Sequence, residues 1–389
     1  MRDQALKDLL DLLNIDGPPG QEAEVAAFLR QALIEIGLTP TDIFIDRAQE
    51  QSEYGGDTGN LIARIDSKRS GPPLLFSTHM DTVPDAVGCQ PRLDETNRRI
   101  VNDASGTALG GDNRTGCAAL LHLARNLMCG DRDHRPLVLA FFIQEEVGLV
   151  GARGVDLEIL GAPDMGFNID GGRPDHFVTS VIGTQRFTID ISGLPAHAGS
   201  RPQEGVSAAV IAARALADLD RGGWHGKIVK DTNNGSANVG TLAGGQGTNV
   251  VMPTLHLLAE ARSHDPAFRR HIIDTWKTAF TGAATEVANS AGQMGSVAFG
   301  PGPTYEAFAL TDEEPVVQIA LAAAKTCGMQ AQTLSNDGGM DANWIVAHGI
   351  NTVTFGAGQR QIHTADEWID LDDFERACDL VLALVEQAG

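Results

Sequence analysis

Three apolar runs in this chain stop in the same way. PLLFSTHMD (73–81) closes on His79 and Asp81, PLVLAFFIQEE (136–146) on Glu145 and Glu146, and MGFNIDGG (165–172) on Asp170 and two glycines. Short unbroken apolar runs read as strands buried on both faces, the pattern of parallel sheets covered by helices. Between the first two lies RTGCAALLHLARNLM, whose apolar positions 117, 120, 121, 124, 127 and 128 share one helical face. In α/β sheets, ligands gather outside the carboxyl ends of the strands. The feature therefore predicts an α/β fold, with a mostly parallel sheet flanked by helices and a rim of acids and histidine.

The 389 residues exceed what one core comfortably serves, so two domains are expected. Amphipathic helices over 2–14 and 20–37 flank the turn signal GPPG. From about 176 the texture changes to alternating strands (HFVTSVIG, QRFTIDISG), a helix in GVSAAVIAARALADL, strands around NVVMPTLHLLAEARS and a helix over 266–289. That is an α+β pattern with helices on one face of an antiparallel sheet. The α/β texture resumes after GPGPTYEAF, with a helix over 312–327, the strand NTVTFG and a helix over 371–387. The expected domains are 1–178 with 303–389, and an inserted domain over 179–302.

Charge and cysteine usage narrow the function. A formal charge of -22 repels phosphate backbones and anionic membranes, so nucleic acid and membrane are not expected partners. Five scattered cysteines without a CxxC pair suit free thiols in a reducing compartment. MRDQALKDLLDLLNIDGPPG has no signal-peptide core, and PLVLAFFI is too short to span a bilayer. A cytoplasmic protein is expected.

His79 and Asp81 stand at i and i+2, so they face the same way if the strand persists. Asp112, after GTALGG and before NRTG, suits either a helix N-cap or a ligand beside glycine-opened space. His363, in GAGQRQIHTADEW after NTVTFG, would reach the same rim. His79, Asp112, Glu146, Asp170 and His363 offer nitrogen and oxygen without thiolate, which suits a hydrolytic zinc, cobalt or manganese site. With Asp112 bridging, each of two divalent ions would own one histidine and one terminal carboxylate. Three carboxylates and a bridging hydroxide balance four positive charges, leaving one glutamate over. Successive residues of an extended chain face opposite ways, so Glu145 and Glu146 are expected to have two jobs.

STHMDTVP, LGGDNRTGCAALL, QEEVGLVGARG, NIDGG, GLPAHAGSRPQEGVSAA and QIHTADEWI, in this order, resemble the dinuclear metallopeptidases that include peptidase T, carboxypeptidase G and the aminoacylases, with peptidase T-like members nearest. The resemblance runs over most of the chain. It implies a metal-binding α/β domain and an inserted lid domain that mediates homodimerisation. It makes His79, Asp112, Glu146, Asp170 and His363 the ligands of two zinc ions, with cobalt or manganese as substitutes. It also implies that Asp81 orients His79 and that Glu145 is the general base acting on a bridging water. In the family the bridging aspartate is commonly followed by a second aspartate across a cis peptide; here Asn113 follows.

In the inserted segment, His197 matches the family position that reaches a substrate carbonyl, often across a dimer interface. Asn249 and Arg262 match positions that bind substrate; Arg262 also reads as a surface ion pair. His122 and His256 read as structural, and Asp341 in NDGGMDAN receives no role. The implied reaction is metal-dependent hydrolysis of an amide bond in a short peptide by an aminopeptidase or tripeptidase. An N-acyl amino acid deacylase or carboxypeptidase-type amidohydrolase is the alternative enzyme, because the same centre attacks any suitably held amide. A non-catalytic metal- or peptide-binding relative is the alternative of another class.

Overall fold

The computed structural model describes residues 2–130 and 132–389. The chain divides into two compact units, one built from the chain up to Ser180 together with Ala309–Gly389, the other from Val181–Phe308.

The first unit is organised by four adjacent parallel strands, in the order Leu137–Phe142, Leu74–His79, Met165–Ile169 and Thr352–Phe355. Every residue of the Leu74–His79 and Leu137–Phe142 strands is buried. Their side chains alternate between two cores, as a two-residue period requires. Leu74, Phe76, Leu137, Leu139 and Phe141 face one apolar cluster, while Leu75, Val138, Ala140 and Phe142 face the other. Helices Arg2–Leu13, Ala23–Ile36, Gly111–Met128, Pro315–Thr326 and Leu371–Ala388 contribute to the first cluster; the short helices Val150–Gly154, Leu157–Leu160 and Ala342–Ala347 contribute to the second. Antiparallel strands Leu61–Ile65 and Ile43–Ile45 extend one side of the sheet.

Register sets the site. His79 pairs with Phe142, Ser77 with Asn168, and Ile169 with Phe355, so the four parallel strands finish at one level. A four-stranded antiparallel sheet stands beside this rim, in the order Gln359–Arg360, Trp368–Asp370, Arg99–Asn102 and Pro91–Asp94. His363 lies in the loop between its first two strands. Where the chain leaves and re-enters this unit, Leu310 N–H donates to the Thr179 carbonyl at 2.8 Å.

The second unit is an antiparallel sheet, ordered Gly226–Lys230, Asn233–Gly244, Thr254–Ser263, Gly183–Ser192 and Ser296–Tyr305. Helices Ala208–Arg221 and Pro266–Glu286 share its core with the inward residues Phe187, Ile189, Ile191, Leu257 and Ala261. Trp276 is fully buried, and its indole N–H donates to the Trp224 carbonyl at 2.7 Å, so the polar end of the ring is satisfied inside that core.

Candidate metal centre

His79 is the last residue of its strand and is almost wholly buried. Its Nδ1 lies 3.0 Å from the main-chain carbonyl oxygen of Asp81, with the Asp81 carboxylate 3.4 Å away. A ring whose Nδ1–H is taken by a carbonyl leaves Nε2 as the free nitrogen. That nitrogen lies 3.3 Å from Asp112 Oδ1. The other oxygen of Asp112, Oδ2, lies 3.4 Å from His363 Nε2, and His363 Nε2 lies 2.9 Å from Glu146 Oε1. Asp112 therefore presents one oxygen to each histidine. His79, Asp112 and Glu146 offer ligand atoms all within 4.8 Å of one another.

The strand before the paired glutamates ends at Phe142, and Gln144 takes a positive φ of 51°. The alternation of an extended chain, expected from the sequence to separate the two, therefore does not operate: both lie on a turn. Asp81 holds that turn. Its Oδ1 accepts the backbone N–H of Glu145 at 2.9 Å and its Oδ2 that of Glu146 at 3.1 Å. The same residue thus positions His79 through its carbonyl and the glutamate pair through its carboxylate. Asp170 follows its strand directly and, with Asp112, Glu145, Glu146 and His363, lines a cavity of about 610 Å³. The Asp112–Asn113 peptide bond is cis.

The electrostatics are those of an acid cluster short of positive charge. Burial, then the proximity of Asp112, pushes the Asp170 carboxyl up to about 7. Burial also raises Glu146, and raises Glu145 well above the ordinary range, with Asp170 and Asp341 adding to the effect. The histidines answer this. Contact with Asp112 and then Glu146 lifts His363 to about 10. Burial alone would lower His79, but Asp112 and Asp81 outweigh it and hold the ring well above its usual value. Asp112 feels burial in the opposite direction, and the two imidazoles overcome it and hold its carboxyl below the ordinary range.

These residues fit divalent cations. Their donors are carboxylate oxygens and imidazole nitrogens. Asp112 Oδ1 is buried without a hydrogen-bond partner, since His79 stands beside it without hydrogen-bond alignment. A buried carboxylate oxygen left this way is costly unless something positive meets it.

Three residues that sequence reasoning left without a role belong to the surroundings of this cluster. Asp341 is buried with both carboxylate oxygens unpartnered, and it does not cap the helix it precedes. Burial is the main cause that raises it well above the ordinary range, with Asp170, Asp81 and Glu146 adding to it. Its signal in the sequence lies in NDGGMD, where two glycines precede the acid as they precede Asp112 in GTALGGD. Glu367 is buried and accepts three backbone N–H groups around Asp112; burial raises its carboxyl to about 7. Arg114 is fully buried and donates to the Met80 and Ile15 carbonyls, fixing the turn between His79 and Asp81.

The remaining sequence-derived residues lie in the second unit. His197 is exposed, and its Nδ1 accepts the backbone N–H groups of Gly199 and Ser200 at 3.1 and 3.2 Å. A ring accepting at Nδ1 carries its proton on Nε2, which is then a donor. His197 forms a bridge with Val250, and Ala198 N–H donates to the Asn249 carbonyl at 2.9 Å, so the His197 and Asn249 segments run together. Arg262 forks onto the carboxylate of Glu260, with contacts of 2.9 and 3.3 Å.

The family model described as Peptidase family M20/M25/M40 matches residues 75–387. The uncharacterized protein YqjE of Bacillus subtilis (strain 168) is 31% identical over 385 residues, which are 99% of this chain and 98% of that protein. Among solved structures, the aminopeptidase PepT from Bacillus cereus is similar with a TM-score of 0.84 and 30% identity, over 100% of this chain and 98% of that one. A tripeptidase from Staphylococcus aureus is similar with a TM-score of 0.87 and 30% identity, over 99% and 98% of the two chains. A family match over most of the chain, and a relative matched nearly end to end, fall on the strands and loops that assemble the acid and histidine cluster. On this ground the chain is a metallopeptidase and belongs to Peptidase family M20/M25/M40.

Proposed function

We propose that this chain is an aminopeptidase of short peptides, tripeptides foremost, working in the cytoplasm as a homodimer through the Val181–Phe308 unit. The names of its full-length structural relatives, an aminopeptidase and a tripeptidase, support the substrate class. The observation that carries the chemistry is Asp112, whose two oxygens face two different histidines. Two ions, zinc foremost with cobalt or manganese as substitutes, would be held by Asp112 between them, one also by His363 and Glu146 and the other by His79 and Asp170. When bound they would polarise the scissile carbonyl and acidify a water between them.

Glu145 lines the same cavity and is left over once these ligands are assigned. It takes the proton of the water whose oxygen attacks the carbonyl carbon. As the carbon–nitrogen bond breaks, that proton passes to the leaving amine. Asp81 keeps Glu145 and Glu146 in one turn while this happens. His197, with its proton on Nε2, donates to the carbonyl oxygen as negative charge develops there. Asn249 contributes to substrate binding, and Arg262 exchanges Glu260 for the carboxylate of the peptide.

The test is a substrate panel. Metal-free chain is loaded with Zn²⁺, Co²⁺ or Mn²⁺ and offered a free tripeptide, its N-acetylated form and a set of N-acyl amino acids. Release of the first residue from the free tripeptide, with a loss of at least about a hundredfold in kcat/KM on acetylation, is expected when amine recognition contributes about 2.7 kcal/mol to the transition state. Turnover of N-acyl amino acids with the free tripeptide left intact replaces this reading with a deacylase.

A further inference from the structure

We propose that Glu367 is a positioning residue for the metal centre, fastening the segment that carries Asp112 to the loop that carries His363. The proposal rests on the metal-centre reading above. Glu367 is 3% exposed and stands at the foot of the loop between strands Gln359–Arg360 and Trp368–Asp370. Its Oε2 accepts the backbone N–H of Leu109 at 2.9 Å and of Gly110 at 2.8 Å, and its Oε1 accepts that of Asp112 at 3.1 Å. Three backbone N–H donors converge on this one buried carboxyl group, at the turn that presents the bridging carboxylate. The approach requires glycine at position 111, where a Cβ would meet Ile369 Cγ1 at 2.8 Å and Glu367 Oε1 at 3.1 Å.

The other foot of the loop is fastened to the same segment. Gln359 Nε2 donates to Asn113 Oδ1 at 3.1 Å. Residues 361–366, which include His363, are exposed and carry no burial of their own to fix them. The 3.4 Å from Asp112 Oδ2 to His363 Nε2 therefore depends on the two feet of the loop together with the contact of His363 with Glu146 at 2.9 Å. Groups that hold metal ligands from behind orient them and tune affinity. Glu367 acts in this way on a bridging carboxylate through its backbone, and on His363 through the loop.

The experiment titrates metal-free wild type, Glu367→Gln and Glu367→Asp with Co²⁺. Its readouts are the visible absorption of the ion, competition with a chelating dye, and thermal melts of the metal-free proteins. Binding by wild type is the control for the centre itself; if wild type binds no Co²⁺, the metal-centre reading fails independently of Glu367. Glutamine keeps the shape but turns an N–H donor toward backbone N–H groups. It is expected to weaken Co²⁺ binding about 10- to 100-fold and to alter the cobalt band, with Glu367→Asp recovering part of the affinity. At saturating metal, kcat of Glu367→Gln should fall while KM stays within about twofold. A Co²⁺ affinity for Glu367→Gln within about twofold of wild type, with only the melting temperature lowered, overturns the proposal and leaves a fold-stabilising clamp. If Glu367→Gln does not fold, Glu367→Asp decides: a loss of affinity of about threefold or more supports the proposal, and a smaller one overturns it.

Discussion

His363 meets Glu146 across 217 residues of sequence, whereas His197 is held by Gly199 and Ser200 and Arg262 by Glu260. In the first unit the functional side chains hold one another, brought together by strands that end in one register. In Val181–Phe308 the side-chain contacts described for His197 and Arg262 reach residues two or three positions away, while the backbone joins the His197 and Asn249 segments. The difference teaches where each set is vulnerable. The acid and histidine cluster depends on the whole sheet and on a counter-charge that carboxylates alone cannot supply. Single substitutions in the second set are expected to leave the metal content of the first unit unchanged.

The sharpest break in that comparison comes from the glutamate pair. Glu145→Gln should retain metal and lower kcat about 10²- to 10⁴-fold, while Glu146→Gln should weaken metal binding and recover activity with excess ion. Metal analysis beside turnover separates the two; loss of metal from Glu145→Gln with full retention by Glu146→Gln reverses the assignment. Next comes His197→Ala, expected to cost about 10²- to 10³-fold in kcat with metal content unchanged. If its activity is intact, the second unit does not serve the reaction through this side chain. A smaller effect is expected at Arg262. Arg262→Lys cannot reproduce a two-pronged contact and should cost about 10- to 100-fold in kcat/KM on a peptide with a free carboxyl end. On the C-terminally amidated peptide wild type and variant should be equal; a parallel loss there points to the Glu260 pair as the role.

The smallest effect is on stability, and it too separates the units. Glu22, raised to about 8 by burial and then by Asp81, Asp170 at about 7 and Glu367 at about 7 all keep their protons in the folded chain at a pH where the unfolded chain has released them. Stability from such groups falls as pH rises from the ordinary carboxyl value of about 4.5 toward about 8. His363, lifted to about 10 by Asp112 and Glu146, has the same sign above its ordinary 6.5, because its favourable proton is lost as pH passes its folded value. Among the described residues the raised carboxyls all lie in the Asp112 unit. Hydrogen exchange on metal-free protein should therefore show that unit opening more readily at pH 8 than at pH 5.5, after correction for the intrinsic exchange rate, with Val181–Phe308 unchanged. Glu22→Gln should flatten the dependence.

The sheet was legible because fully buried strands leave unbroken apolar runs, and because glycines before Asp112 and after Glu146 and Asp170 mark where the chain turns at the rim. Spacing could not reveal that the chain leaves extended geometry at Gln144, a left-handed residue without the usual glycine signal. Nor could it reveal Glu367, whose three partners are backbone N–H groups and carry no side-chain identity. The dual task of Asp81 was hidden for the same reason: it binds the backbone of the glutamate pair and offers His79 a carbonyl.

The contact between Thr179 and Leu310 makes the two halves of the α/β unit neighbours at the point where the chain departs and returns. In the gene, two cuts and a short turn between these residues would delete everything from Val181 to Phe308 while keeping every strand of the parallel set. Such a miniature should still take up Co²⁺ with the spectrum of the parent protein, because His79, Asp112, Glu146, Asp170 and His363 all remain. It would also be an open socket into which a foreign domain could be grafted, placing a borrowed recognition surface on a hydrolytic metal site.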